Sequence, residues 1–378
     1  MENLLSEGRY DRQELITWWD QNSLRSAQVL VVGAGALGNE VVKNLTLLGV
    51  GNITVVDMDT VSTSNLSRCV FFREGDEGKE KAILVAERAS ELNPDVQVEA
   101  HVSYVQSKGV GWVRNFNLVI GCLDNREARV WVNQACRKFG ITWIDGAIEG
   151  IRGVVKVFPP SGACYECTLG EVDRSILDKR KACSLLSTEE VLQGKVPTTA
   201  TTSSVVAGLQ TQEAIRLLNG GDSPLKNKGW FLIGESFDTY TVDYVEDEWC
   251  LAHEDYRDFI PCVALRSATL RSIVPERIKV ANSEIKFEEM LVRGGQCFDC
   301  GFTIAINKMS TALVASDIAC PSCSKTMGLD ATNVIGGIDA ILDITVDELG
   351  LATFDVVTIR TETEEIYLAL TGGGNEKL

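Results

Sequence analysis

The sequence predicts an α/β chain: a doubly wound, mainly parallel sheet with helices on both faces, followed by a smaller C-terminal α+β domain. Three observations predict it. A short apolar run at 29–33 ends in glycine, gives way to apolar positions at helical spacing (Leu37, Val41, Leu45, Leu48), and returns to a run at 53–56, which is a β-α-β unit. Further short apolar runs at 96–102, 118–122 and 142–144 alternate with helical patterns at 81–92 and 127–139, as in a parallel sheet covered on both sides. Beyond about residue 258 the alternation stops and paired cysteines appear.

The elements follow in order. The run at 154–158, ahead of Pro159-Pro160, begins an antiparallel extension of the sheet. From about 163 to 197 the pattern is polar and irregular, too long for a plain connector. A long helix then covers 203–218 and is ended by Asn219-Gly220-Gly221. Near the end, 344–351 reads as a helix and 356–359 and 367–370 as two strands. The expected division is a first domain at 1–260, with a crossover segment at about 168–202, and a second at 261–378.

Composition narrows the function. With 45% hydrophobic and 24% charged residues, the chain has ordinary globular values. A net charge of −17, from 53 acidic against 36 Lys and Arg residues, repels phosphate backbones and argues against nucleic acid as a partner. No apolar run reaches the 18 or so residues that span a bilayer, and the first residues carry no leader pattern, so no membrane association is expected. Of the 12 cysteines, six sit in C-x-x-C pairs, a spacing that grips metal in reducing compartments, and a cytoplasmic location is expected.

Gly33-Ala34-Gly35-Ala36-Leu37-Gly38 fits G-x-G-x-x-G between a strand and a helix, so the first domain is expected to be Rossmann-like. There the missing side chains let backbone N–H groups approach phosphate at the helix N-terminus. Asp57 and Asp59 end the second strand, where a carboxylate can accept from ribose hydroxyls. A nicotinamide dehydrogenase carries the same fingerprint, and the glycines alone do not separate the two. The loop that follows does: Asp57-Met58-Asp59-Thr60-Val61-Ser62-Thr63-Ser64-Asn65-Leu66-Ser67-Arg68 sets carboxylates, an amide and a guanidinium side by side, and a dehydrogenase has no use for that arginine.

Here the chain resembles the superfamily of ubiquitin-activating enzymes and the bacterial adenylyltransferases of molybdopterin and thiamine biosynthesis, whose loop reads D-x-D-x-V-x-x-S-N-L-x-R. The resemblance extends in family order over about 9–253: Arg9-Tyr10-x-Arg12-Gln13, Gly78-x-x-Lys81, Cys122-x-Asp124-Asn125 and Cys164-x-x-Cys167. It implies an ATP site in which a carboxylate attacks the α-phosphate, and fixed cations suit the charge that spreads over the phosphate oxygens. Arg68 and Lys81 would supply that charge locally, and Arg12 would reach in from a second subunit, which implies a homodimer. Asp124 would hold Mg²⁺. Asn65 would orient phosphate or ribose, and Asn125 lies in the same nucleotide-binding set.

Cys297, Cys300, Cys320 and Cys323 form C-x2-C-x19-C-x2-C, the spacing of a zinc ribbon, with Gly301 at the first turn; four thiolates leave no open position for a reacting water. The resemblance implies a second Zn²⁺ site begun by Cys164 and Cys167. The family's other C-x-x-C is here Cys250-Leu251-Ala252-His253, so Cys250 and His253 are expected to complete a Cys3His set. Cys183 stands outside any pair, beside Arg180 and Lys181, which favour thiolate. The family keeps its thioester-forming cysteine in that segment. Cys69, Cys122 and Cys136 are expected to be buried small hydrophobes, and Cys262 has no assignable role.

Two functions follow from the resemblance. The first is ATP-dependent adenylation of the C-terminal carboxylate of a ubiquitin-like protein, acyl transfer to Cys183 and hand-off to a conjugating enzyme. The alternative is adenylation of a sulfur-carrier protein for thiocarboxylate formation. The ribbon with its α/β tail is expected to bind a protein partner.

Overall fold

The computed structural model describes residues 8–170, 197–256, 258–275, 278 and 282–372. Among them the chain forms two compact units, one taking in 8–105, 113–170 and 197–255, the other 106–112 and the residues from 256 onward.

The first unit is built on an eight-stranded sheet of order β3-β2-β1-β4-β5-β6-β7-β8. Its parallel part comprises β1 (Gln28–Val32), β2 (Asn52–Val56), β3 (Gln97–His101), β4 (Leu118–Gly121) and β5 (Trp143–Glu149). In β1 the side chains of Val29, Leu30, Val31 and Val32 are all buried, because both faces of a parallel sheet are covered. From β5 the sheet turns antiparallel through β6 (Arg152–Phe158), β7 (Lys228–Ile233) and β8 (Asp238–Asp243), the extension expected from the apolar run before the two prolines.

Two short helices, α1 (Asp11–Glu14) and α2 (Gln21–Ser26), precede the sheet. The crossovers are α3 (Ala36–Leu47) from β1 to β2, α4 (Lys81–Leu92) from β2 to β3, and α5 (Arg126–Phe139) from β4 to β5. Because the strand order reverses between β1 and β4, right-handed crossovers place α3 and α4 on one face and α5 on the other. α5 starts where the Asn125 side chain accepts the Ala128 N–H and stops at Gly140, which is left-handed with φ 68°. The long helix α6 (Ala200–Leu218), capped by Thr199, packs beside α3. Its buried Gln210 donates from Nε2 to the Gly121 carbonyl at 2.9 Å, fixing the helix over the end of β4.

Tyr10 anchors the entering chain. It is buried, and its hydroxyl accepts from Asn93 Nδ2 at 2.8 Å, while Asn93 also donates to the Thr46 carbonyl. Arg9 lies 3.6 Å from Asp95.

The second unit has a six-stranded sheet of order β11-β10-β13-β14-β9, with β12 also paired to β10. Its strands are β9 (Phe259–Ala264), β10 (Glu284–Gln296), β11 (Thr303–Met309), β12 (Gly328–Gly336), β13 (Val356–Arg360) and β14 (Glu365–Gly372). The last strand, β14, runs parallel to the first, β9. Phe287, Leu291, Leu342, Leu349, Val357 and Leu368 are central to its own apolar core. The helix expected at 344–351 is a single turn, Val346–Leu349, closed by a Thr345–Glu348 capping box and a left-handed Gly350. The stretch 106–112 belongs here: the Gly111 N–H donates to the Phe354 carbonyl at 2.8 Å, and the Phe354 N–H to that of Lys108 at 3.2 Å. Among the described residues no helix is long and apolar enough to cross a membrane.

Candidate active site and metal centres

Three loops leave the carboxyl ends of the adjacent parallel strands β2, β1 and β4, at the point where the strand order reverses. In a doubly wound sheet that crevice is where ligands bind. The glycine loop follows β1. Gly33 has φ 101°, a conformation that favours glycine, and a Cβ there would strike the Cys122 carbonyl. A Cβ on Gly38 would collide with the carbonyl of Gly33, so the third glycine lets α3 close down on the loop. At Gly35, the N-cap of α3, a Cβ would meet nothing within 4 Å, so the open side of the loop faces no protein there.

The second loop follows β2. Asp57 turns back on the glycine loop: one carboxylate oxygen accepts the Ala34 N–H at 2.6 Å and the other the Asp59 N–H at 2.7 Å. Burial raises its pKa, against the pull of Lys81. Asp59 is exposed, and its Oδ2 lies 2.8 Å from Nζ of Lys81, a buried lysine at the start of α4. The loop closes with a short bridge between Thr60 and Glu80. Asn65 is buried and caps its own turn, its Oδ1 accepting from Ser62 N at 2.9 Å and Ser62 Oγ at 3.1 Å. Arg68, half-buried, donates from Nη1 to the Ser64 carbonyl. Cys69 marks the convergence of these groups. Burial pushes its thiol up to about 11, while Arg68 and Lys81 pull it down and Asp57 and Glu40 push it further up.

The third loop follows β4. Asp124 is exposed, with Asn125 Nδ2 3.4 Å from its Oδ1, and the Oδ1 of Asn125 is occupied in capping α5. Beneath this loop lies a pair that the sequence reading missed. Arg129 and Asp145 are both buried and meet at 2.9 Å, and Arg129 Nη2 also donates to the Leu123 carbonyl at 2.5 Å. The backbone just before Asp124 is thereby fixed. A sequence hint exists in Asp124-Asn125-Arg126-Glu127-Ala128-Arg129, but the partner carboxylate lies on the next strand.

Arg12 is not brought to this group by any hydrogen bond or ion pair among the described residues. It is exposed on α1, beside the exposed apolar side chains Leu15, Ile16 and Trp18. Cys183 lies outside the described residues. A cavity of 380 Å³ opens at the opposite, amino ends of β1, β4 and β5, lined by Ala27, Asn117, Thr142 and Leu218 among others, away from the glycine loop.

Two groups of side chains can each hold a metal ion. In the first, Cys164 Sγ lies 3.7 Å from both Cys167 Sγ and Cys250 Sγ, and Cys167 Sγ lies 3.2 Å from His253 Nε2. In the second, Cys297 is 3.5 Å from Cys323 and Cys300 is 3.6 Å from Cys320. Sulfurs tetrahedrally placed about 2.3 Å from a zinc ion would be roughly 3.8 Å apart, so both donor sets fit such an ion. The orientation of His253 fits as well: its Nδ1 lies 3.3 Å from Glu246 Oε1, leaving Nε2 to face the sulfurs, and Arg137 holds the same carboxylate at 3.2 Å. Each ribbon knuckle closes through a backbone bond, Gly301 N to Cys297 O at 2.9 Å and Ser324 N to Cys320 O at 2.8 Å. Lys325 and Asp299 join the two knuckles at 2.6 Å. Cys69, Cys122 and Cys136 are buried, as expected, and Cys262 is half-buried with its thiol toward the Ile273 carbonyl.

Comparison with known proteins places this geometry. A model described as the ThiF family matches residues 10–248. Ubiquitin-like modifier-activating enzyme 5 of Dictyostelium discoideum is 32% identical over 212 residues, which is 52% of this chain and 54% of that protein. The NEDD8-activating enzyme E1 catalytic subunit of Caenorhabditis elegans is 39% identical over 161 residues, 39% of this chain and 37% of that one. The chain thus spans about half or less of the length of these two relatives. Among solved structures, Escherichia coli MccB crystallised with MccA-N7isoASN superposes with a TM-score of 0.55 at 21% identity, covering 66% of this chain and 75% of that one; the likeness is one of fold.

Proposed function

The chain belongs to the ThiF family, and from that premise we propose that it adenylates the C-terminal carboxylate of a ubiquitin-like protein at the expense of ATP. The observation that carries this reading is the convergence of the glycine loop, the Asp57–Arg68 loop and the Asp124 loop on one crevice, with Lys81 at its side. Modifier-activating enzymes among the relatives favour a ubiquitin-like substrate.

In this reading the N–H groups at the start of α3 receive phosphate, and Asp59 receives the ribose. Lys81 exchanges its carboxylate partner for a phosphate oxygen. A carboxylate oxygen of the small protein attacks the α-phosphorus, the bond to the β-phosphate breaks, and pyrophosphate leaves, giving an acyl adenylate. Arg68 and Lys81 offset charge on the equatorial oxygens. Asp124, exposed at its strand end, is the carboxylate suited to Mg²⁺, which would neutralise phosphate charge when bound. Arg12, with no hydrogen bond or ion pair among the described residues and flanked by exposed apolar side chains, reaches the crevice of a second copy, so the working form is a homodimer. The thiolate of Cys183 then displaces AMP to form a thioester, and a conjugating enzyme takes the acyl group.

The remaining assignments accompany this reading. Both cysteine-rich sets hold Zn²⁺ in a structural role, since four protein ligands leave no site for a reacting water. Residues 1–260 form the adenylating domain with its crossover at 168–202, and 261–378 bind a protein partner. Free cysteines and metal-gripping pairs suit the cytoplasm. Nucleic acid and membrane are not partners.

The test is ATP–pyrophosphate exchange with candidate small proteins, followed by gel analysis of conjugates. Exchange together with a thiol-labile conjugate that Cys183→Ala removes supports the whole scheme. Exchange without such a conjugate leaves adenylation and favours thiocarboxylate formation, whereas absence of ATP binding ends the reading.

A further inference from the structure

Asn39 lies one residue beyond the glycine motif, on the first turn of α3, and is fully buried. A buried amide must use its donors and acceptor. Asn39 does so in two directions. Its Nδ2 donates to the Ala34 carbonyl at 2.8 Å and to the Gly35 carbonyl at 3.0 Å, and its Oδ1 accepts the Phe71 N–H at 2.9 Å.

The consequence follows from peptide geometry. In a planar trans peptide the C=O and the next N–H point in opposite directions. Drawing the Ala34 carbonyl, and the Gly35 carbonyl that the Asn39 backbone N–H also reaches at 2.9 Å, toward Asn39 therefore turns the N–H groups of Gly35 and Ala36 the opposite way. Those are the donors a helix start leaves for a phosphate, since the Ala34 N–H is already taken by Asp57. The third bond reaches the other loop. Phe71 follows Arg68 by three residues, and its carbonyl is gripped from the far side by Arg88, which Asp76 holds. Phe71 is thus held through both of its flanking peptides, to Asn39 by its N–H and to α4 by its C=O.

We propose that Asn39 is a positioning residue for the nucleotide's phosphates: it aims the Gly35 and Ala36 N–H groups and holds the Arg68 loop in register with them. The proposal rests on the ATP reading of this crevice. It concerns how the donors are aimed, and Asn39 itself touches no reacting atom.

The experiment measures adenosine, AMP and ATP affinity by calorimetry on the zinc-loaded 378-residue chain, unaltered and carrying Asn39→Ala, Asn39→Asp, Arg68→Ala and the Asn39→Ala/Arg68→Ala pair. Asn39→Asp keeps the acceptor for Phe71 but sets a carboxylate oxygen against the two loop carbonyls, and it stands in if the alanine variant fails to fold. Expected is a loss of about tenfold or more in ATP affinity with adenosine affinity within about twofold of wild type, because only phosphate-bearing ligands use the aimed donors. The pair should lose less than the product of the single losses, because the two residues act through one loop. Equal losses for adenosine and ATP, or unchanged ATP affinity in a folded variant, overturn the role of Asn39. Failure of the wild-type chain to bind ATP overturns the reading of the crevice as well, and so is told apart.

Discussion

Arg68 presents a charge on a tether: its guanidinium is anchored to the Ser64 carbonyl and remains partly open to solvent. Such a group contributes little to the fold and much to a transition state that gathers charge. Arg68→Ala should lower pyrophosphate exchange by about 10²–10³-fold while the melting temperature stays within a degree or two; Asp124→Ala, at an exposed position, should behave alike. Wild-type exchange in either would discredit the site. Asp76 makes the opposite case. The Arg88 guanidinium, with help from Lys79, holds its carboxyl well below the usual carboxylate range. Its stabilising effect is present above the unfolded pKa near 3.8 and fades as the pH falls through the lower folded value. Asp76→Asn should therefore cost roughly 2–3 kcal/mol at neutral pH, with the gap to wild type closing only in strong acid; a gap unchanged down to the acid limit in denaturant titrations would contradict the pairing. The sequence placed the glycines, Asp57, Arg68, Lys81 and Asp124 at or beyond strand ends because the apolar runs before them mark the strands, while the roles given to them came from the family resemblance. Asn39 and the Arg129–Asp145 pair were not legible, since a buried polar residue declares its partner only when the chain has folded.

The ribbon knuckles show what an element demands of its turn residues. Both place the residue after the second cysteine in the left-handed region, Gly301 at φ 78° and Ser324 at φ 60°. Glycine adopts that conformation freely and serine does not. Gly301→Ala should destabilise the second unit by about 1 kcal/mol and Ser324→Gly should stabilise it by roughly 0.5–1 kcal/mol, read as shifts in its melting transition; the reverse order would refute the backbone explanation. Metal analysis should find about two zinc ions per chain, falling to about one in His253→Ala with the ribbon still loaded. The crossover helices, the long helix and the parallel strands of the first unit could be anticipated because apolar positions recur at helical spacing between short apolar runs, whereas the short α1 and α2 could not. β8 could not: its six residues are all exposed and read Asp-Thr-Tyr-Thr-Val-Asp, with no apolar run to betray a strand. β10 escaped for a different reason, a bulge between Val292 and Gly294 that interrupts its alternation.

For the molecule as a whole, the reversal of strand order decides where chemistry can occur, because only there do loops from neighbouring strands diverge to admit a ligand. If Arg12 completes the crevice of a second copy, activity must depend on assembly. Arg12→Ala and Arg68→Ala variants, each inactive alone, should on equimolar mixing and subunit exchange recover about one quarter of wild-type activity, since half the dimers would be mixed and each would contain one intact site. No recovery after demonstrated exchange would place both residues in one subunit's site. The stretch 106–112 carries a last consequence. It is encoded between β3 and β4 of the first unit, yet it supplies the backbone partners of Phe354 in the second. A gene cut at residue 256 would yield a C-terminal fragment with a frayed seam at Phe354. Grafting this module onto a foreign protein would therefore require transplanting an internal heptapeptide too.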